Sequence, residues 1–211
     1  MPQKPERSPL EGLLPKIRSR FPMIDRGAQH IPRIYLNSAA GSLMVDSAIE
    51  AAPAAGHSLN PMPGAVCPGE IETARFHERV RTITADFLNA RGPREISFHA
   101  STTAALFNLA FAMRETVGPQ DNVVVTDLDH MANVSPWETV LGKGAGCAVR
   151  RVRVTDEGTL DLDHLFGLVD ERSRVLAVTM ASNALGTIVP LAEMIVAVRR
   201  KAPGCCVVVA A

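Results

Sequence analysis

From residue 96 onward, short apolar runs alternate with helical stripes. Ile96-Ser97-Phe98-His99 reads as a strand, Thr103 to Thr116 as a helix, Val123 to Thr126 as a strand and Ser135 to Leu141 as a helix. Cys147 to Val154 alternates as a strand, Leu162 to Val169 is helical, Val175 to Met180 is a strand, Leu191 to Arg200 a helix and Cys205 to Val209 a last strand. Short apolar runs bounded by turn residues suit strands buried on both faces. Strands that alternate with helices in this way predict a three-layer αβα fold around a mainly parallel, doubly wound sheet. The expected strands lie near 96–99, 122–126, 147–154, 174–180 and 205–210.

Upstream, Phe76, Val80, Ile83 and Phe87 share one face of a helix running from about Glu70 to Ala90, between Pro68-Gly69 and Gly92-Pro93. Residues 34–66 begin with Ile34-Tyr35-Leu36, pass through Asn37-Ser38-Ala39-Ala40-Gly41 and enter a proline-broken loop around Pro61-Met62-Pro63-Gly64. Residues 1–33 are rich in proline and arginine, with a short amphipathic patch from Leu10 to Phe21. The expected organisation is an N-terminal arm, 1–33, followed by one domain, 34–211.

Charge and composition narrow the function. Lys+Arg and Asp+Glu both total 22, so no net field recruits nucleic acid or an anionic membrane. No apolar run approaches the ~20 residues of a membrane span, and the N-terminus lacks the apolar block of a signal peptide. Cys67, Cys147, Cys205 and Cys206 lack the paired spacing of a zinc site or a disulfide framework, so the expected setting is reducing and cytoplasmic. Cys205 and Cys206 are neighbours on a strand and point to opposite faces, which excludes joint chelation of a metal. Gly142-Lys143-Gly144-Ala145-Gly146 precedes a strand, the reverse of a dinucleotide loop. Asp161 and Asp163 stand at a helix start, where capping is their expected role.

Four segments remain that could carry chemistry. The run Asp121 to Trp137 places His130, Asn133 and Trp137 just past a buried strand, at the end where open α/β sheets collect ligands. Ser101-Thr102-Thr103 opens an apolar helix, and three hydroxyls there serve either as a plain cap or as an anion cradle. Ala181-Ser182-Asn183-Ala184-Leu185-Gly186-Thr187 is a turn after another strand. Asn37 to Gly41 is a bland loop, equally consistent with a connection or a pocket wall.

Read together, these segments resemble the class V aminotransferase family. Residues 127–137 follow its "D-x-x-H-x-A-N-x-x-P-W" pattern, in the branch of cysteine desulfurases and selenocysteine lyases. The resemblance implies a fold-type-I enzyme that uses pyridoxal phosphate (PLP). It implies that His130 stacks on the PLP ring, with Asn133 in the same pocket, and that Asn183 donates its amide to the phenolic oxygen. Ser101, Thr102 and Thr103 fall where the family holds the phosphate, with Ser101 standing in place of a glycine. Asn37, Ala39, Ala40 and Gly41 fall on the loop that lines the substrate side. The aspartate that pairs with the pyridine nitrogen falls on Ala210, and the Schiff-base lysine lies beyond Ala211. The resemblance thus implies the N-terminal part of a homodimeric enzyme acting on a small amino acid such as cysteine or selenocysteine. A non-catalytic PLP-fold remnant that works through subunit association is the alternative. A nucleotide-binding α/β domain is disfavoured, because no glycine fingerprint joins a strand to a helix.

Overall fold

The computed structural model describes residues 12–24, 34–59 and 61–211. Residue contacts separate two compact units, divided between Ser97 and Phe98. Much of the expected arm, 1–11 and 25–33, lies outside the described residues.

The first unit is helical. A short helix α1 spans Leu14–Arg18, α2 spans Asp46–Ser58 and α3 spans Pro68–Leu88. Arg20 ties the first segment to α2 through an ion pair with Asp46 at 2.8 Å. The long helix α3 starts as its sequence dictates. Pro68 occupies the first turn, Cys67 is the N-cap and the Glu70 carboxylate reaches back to the Cys67 N–H at 3.2 Å. It stops at Asn89, which takes a left-handed conformation at φ 54°.

The second unit carries the sheet. Its strands are β1 (Asn122–Thr126), β2 (Ala148–Val152), β3 (Ser173–Thr179) and β4 (Cys206–Ala210), all parallel, in the order β2-β1-β3-β4. Side chains alternate between two cores. Val123, Val125, Val175, Ala177 and Val208 face helix α4 (Thr102–Met113) and the helical segment after β1, meeting Leu106, Ala110, Trp137 and Leu141. Val124, Val152, Leu176 and Val178 face α5 (Leu162–Leu168) and α6 (Leu191–Lys201), meeting Leu165, Met194 and Val198. These two apolar layers make the three-layer αβα arrangement. Asp161 caps α5 by accepting the His164 N–H at 2.9 Å, and Cys205 is buried while Cys206 is exposed.

A polar network closes the amino edge of the sheet. Asn122, nearly fully buried, donates to Asp170 at 2.7 Å and accepts from the Ser173 hydroxyl at 2.7 Å. Arg150 donates to the other Asp170 oxygen at 2.7 Å. Partial burial raises the Asp170 pKa, but hydrogen bonds from Arg150, Asn122 and the Arg172 backbone outweigh it and hold the group at about 2. A carboxyl lowered in the folded state contributes stability above its ordinary value near 3.8, lost as pH falls toward about 2. The urea midpoint of the chain is therefore expected to fall between pH 5 and 2, and Asp170→Asn to lower it at pH 6 and flatten that acid limb. Parallel acid limbs in the two proteins would refute the assignment.

Two expectations need correction, and one helix is an addition. Residues 96–99 form no strand: among the described residues the segment joins no ladder, and Phe98 is exposed. A strand requires a hydrogen-bonded neighbour, and both outer strands of this sheet lie without it. Residues 46–58, where the sequence predicts no element, form α2 despite Pro53 in its interior. The helix expected at 135–141 is instead centred on a π-helical segment, Trp137–Lys143. The wider turn seats Gly142 against β2, where a Cβ would lie 2.7 Å from the Val149 Cγ2.

Candidate active site

Strand order decides where a ligand fits. The chain leaves β1 to form β2 on one side, then crosses to form β3 on the other. The winding direction reverses between β1 and β3, and the crevice at their carboxyl ends is the favoured ligand position in such sheets. Pairing reflects this. Registered pairs between β1 and β3 stop at Val124↔Leu176, whereas β1 and β2 pair through Thr126↔Val152, and β3 and β4 pair through Thr179↔Ala210.

His130 stands at this edge, directly after β1, and is exposed. Its Nδ1 accepts the Ala132 N–H at 3.1 Å and so caps the 3-10 turn Met131–Asn133. That bond places the neutral imidazole proton on Nε2. Asn133 is buried. Its amide donates to Asp129 at 2.7 Å, and its oxygen accepts from the Trp137 Nε1 at 3.4 Å. Asn133 thus holds the turn together, with both ends of its amide engaged inside the protein. Trp137 is fully buried in the core.

Asn183 stands at the same edge, after β3, and is also exposed. Its turn is closed by the Ser182 N–H to the Thr187 oxygen at 2.9 Å and the Gly186 N–H to the Ser182 oxygen at 2.8 Å. Gly186 has φ 76°, a conformation that suits glycine. Thr187 anchors the turn by donating to the Gly158 carbonyl at 2.7 Å.

Helix α4 packs along the sheet and delivers the chain to the amino end of β1, so its own N-terminus points to the carboxyl edge. It also packs against the turn that carries His130. Ser101 is its N-cap, with the hydroxyl accepting the Ala104 N–H at 3.1 Å. The plain capping role is therefore occupied by Ser101. Thr102 and Thr103 are exposed, and as the first helical residues they present N–H groups that no earlier turn accepts. Together with the helix dipole they favour an anion.

Asn37, Ala39, Ala40 and Gly41 belong to the first unit. There the Asn37 carbonyl accepts the N–H groups of Ala40 and Gly41, both at 3.1 Å, and the Tyr35 hydroxyl donates to the Gly41 carbonyl. The structure thus brings His130, Asn183 and the start of α4 to one edge of the second unit, and describes the Asn37–Gly41 loop separately.

One residue at this edge escaped the sequence reading. Asp129 accepts from the Thr126 hydroxyl and, at 2.7 Å, from the Asn133 amide. Burial pushes its carboxyl above the ordinary range, with the hydrogen bonds from Thr126 and Asn133 opposing that shift. The available signal was its place between a buried strand and the histidine.

The lysines of the second unit lie elsewhere in it. Lys201 donates to the Phe166 carbonyl at 2.6 Å and lines a cleft of about 760 Å³ at the amino edge, with Asp121, Arg150, Asp170, Arg172 and Arg200. Lys143 ends the π-helical segment that leads into the amino end of β2. Lys16 is in the first unit, and Lys4 lies outside the described residues.

With this geometry in place, comparison with known proteins is specific. The class-V aminotransferase family model matches residues 34–211. The chain belongs to that family. A cysteine desulfurase of Cronobacter sakazakii is 37% identical over 184 residues, which cover 86% of this chain and 45% of that protein. The crystal structure of the cysteine desulfurase CsdA from Escherichia coli superposes with a TM-score of 0.73 at 28% identity, covering 92% of this chain and 47% of that one. The fold also matches a C-DES variant that holds glycine covalently linked to its PLP cofactor, with a TM-score of 0.70 at 18% identity. The chain spans about half the length of the curated relatives it matches. PLP is the cofactor of this aminotransferase family, and the second unit has its fold-type-I sheet. No described helix is long and apolar enough to cross a membrane.

The residues present meet most of what PLP requires. An anion fits the start of α4, an aromatic ring fits the exposed face of His130, and a phenolic oxygen fits the Asn183 amide. At the end of β4 the fit fails, since Ala210 offers a methyl group beside Thr179.

Proposed function

We propose that this chain forms the PLP-binding part of a cysteine desulfurase-like protein that acts on a small amino acid. The observation that carries the reading is the shared position of His130 and Asn183. They follow adjacent parallel strands at the point where the winding reverses. Thr102 and Thr103 bind the phosphate through N–H and hydroxyl groups. His130 presents its ring face, which orients the cofactor and excludes water from one side. Asn183 donates its amide to the phenolic oxygen without titrating. PLP bound there supplies an electron sink for charge developing on the substrate α-carbon. The Asn37–Gly41 loop forms the substrate side of the pocket. The substrate class is cysteine or selenocysteine, losing sulfur or selenium, with transamination as the other outcome of the same chemistry. Intact relatives are expected to work as homodimers in the cytoplasm.

Absorbance titration with PLP tests this reading. His130→Ala is expected to weaken binding by about 2- to 10-fold, the equivalent of an aromatic stacking energy of about 0.5–1.5 kcal/mol. Equal affinity for the wild type, His130→Ala and Asn183→Ala would refute the site. Borohydride reduction followed by peptide mapping is expected to label no single lysine. Lys143 and Lys201 lie at the opposite edge of the sheet, and covalent anchoring requires a lysine at the pocket. Stoichiometric labelling of one lysine with sulfide release from cysteine would overturn that expectation.

A second reading, association without catalysis, is favoured by α3. The second half of its apolar stripe is uncovered: Ile83 is 61% exposed and Phe87 87% exposed, while Phe76 and Val80 are half-buried. Such a stripe marks an interaction surface. Light scattering would show a concentration-dependent dimer that Phe87→Glu abolishes, with PLP absent throughout.

A further inference from the structure

Asp129 sits one residue before His130 and is half-buried. Its carboxylate gathers donors from two places. The Thr126 hydroxyl, at the end of β1, meets one oxygen, and the Asn133 amide (2.7 Å), from the 3-10 turn, meets the other. The His130 turn is thus tied to the end of β1 through one carboxylate.

We propose that Asp129 is the positioning residue of this edge, clamping the His130 turn to the end of β1 and so holding the imidazole in one tautomer with its face presented to the crevice. Resting on the proposed PLP reading, this explains why a ring in an exposed loop has a fixed orientation. The His130 Nδ1 accepts the Ala132 N–H only while residues 130–133 keep their turn. That turn is fixed by Asn133, which is fixed in turn by Asp129 and Trp137. The clamp needs an acceptor on both carboxylate oxygens, because every group facing it is a donor. Alanine removes both acceptors. Asparagine keeps one oxygen and turns a second donor against the others.

The test is made on the 211-residue chain with nitrogen-15-labelled histidine, using long-range proton–nitrogen spectra, with His130→Gln identifying the His130 signals. Free of PLP, the wild type is expected to show His130 as the Nε2–H tautomer alone. Asp129→Ala is expected to lose that single-tautomer signature, with both tautomers populated. If Asp129→Ala does not fold, Asp129→Asn, which preserves size, is read the same way. A folded variant of either kind that keeps the wild-type tautomer pattern overturns the proposal. The same spectra with added PLP report separately on the cofactor. A PLP-induced shift of the His130 ring protons supports the site, and its absence refutes the PLP reading while leaving the tautomer result to decide the role of Asp129.

Discussion

Replacing Trp137 by alanine is expected to destabilise the second unit by about 3–5 kcal/mol, the cost of removing a large aromatic side chain from a packed core. Trp137 has no solvent exposure and lies in one apolar cluster with Leu106, Ala110, Val125, Val140, Leu141 and Ala177. Its loss opens a cavity between α4 and the sheet. It also removes the Nε1–H that Asn133 accepts. Whole domains are stable by about 5–15 kcal/mol, so this one change consumes a large share of the total. With a urea dependence of about 1–3 kcal/mol per molar, the midpoint should move by more than about 1 M. Trp137→Phe keeps an aromatic six-membered ring but loses the pyrrole ring with its hydrogen bond, and is expected to cost about 1–2 kcal/mol, less than the alanine variant. A drop below about 1 kcal/mol for the alanine variant would mean that the site collapses without a cavity.

The parallel sheet was legible because each strand is a short apolar run with turn residues on both sides. Val123 to Val125 is the clearest case, with all three side chains fully buried between the two cores. The segment Ile96–His99 has the same local pattern and forms no strand. Pattern alone reports a segment's capacity to pair, while pairing also needs a neighbour, and none of the four strands lies beside it. The reverse case is Asp46–Ser58, a helix where the sequence predicts no element. Its alanines and Gly56 give no apolar stripe, Pro53 is a helix breaker by rule, and none of its residues is buried. No burial signal existed for periodicity to find. The stripe Phe76, Val80, Ile83, Phe87 located α3 correctly, yet the residues that α3 buries are Thr73 and Ala85. Amphipathic spacing gives the helix and leaves open what covers its face.

At the candidate site, sequence pointed to His130 and Asn183, which follow strands and lie exposed. It pointed also to Asn133, whose amide is engaged at both ends within the protein. Asp129 went unread because its partners, Thr126 and Asn133, lie three and four positions away and read as ordinary turn residues. Polar side chains in a turn carry no pattern that shows which of them is engaged. The π-helical turn is a similar case. Within it Gly142 lies close against Val149 of the following strand, a contact that apolar spacing does not report.

Substituting aspartate for Ala210 is expected to tighten PLP binding by about 10- to 100-fold. Ala210 ends β4 opposite Thr179, and its carbonyl accepts the Met180 N–H at 2.8 Å. It therefore lies at the edge that bears His130 and Asn183, on the strand beside β3. A carboxylate there would accept a charge-assisted hydrogen bond from the protonated pyridine nitrogen, worth about 1.5–3 kcal/mol, and each 1.4 kcal/mol is a factor of about ten in affinity. Ala210 is partly exposed, so the new charge keeps contact with water in the free protein and the fold should tolerate it. Ala210→Asn supplies the shape without the charge and should recover little of the gain. Adding His130→Ala or Asn183→Ala to Ala210→Asp should reverse part of it, because residues in one site do not act independently. The comparison is read from PLP dissociation constants at one pH, with melting curves confirming that each variant folds. If Ala210→Asp folds and binds PLP no more tightly than the wild type, the end of β4 does not face the pyridine nitrogen, and the cofactor placement proposed for this edge is wrong.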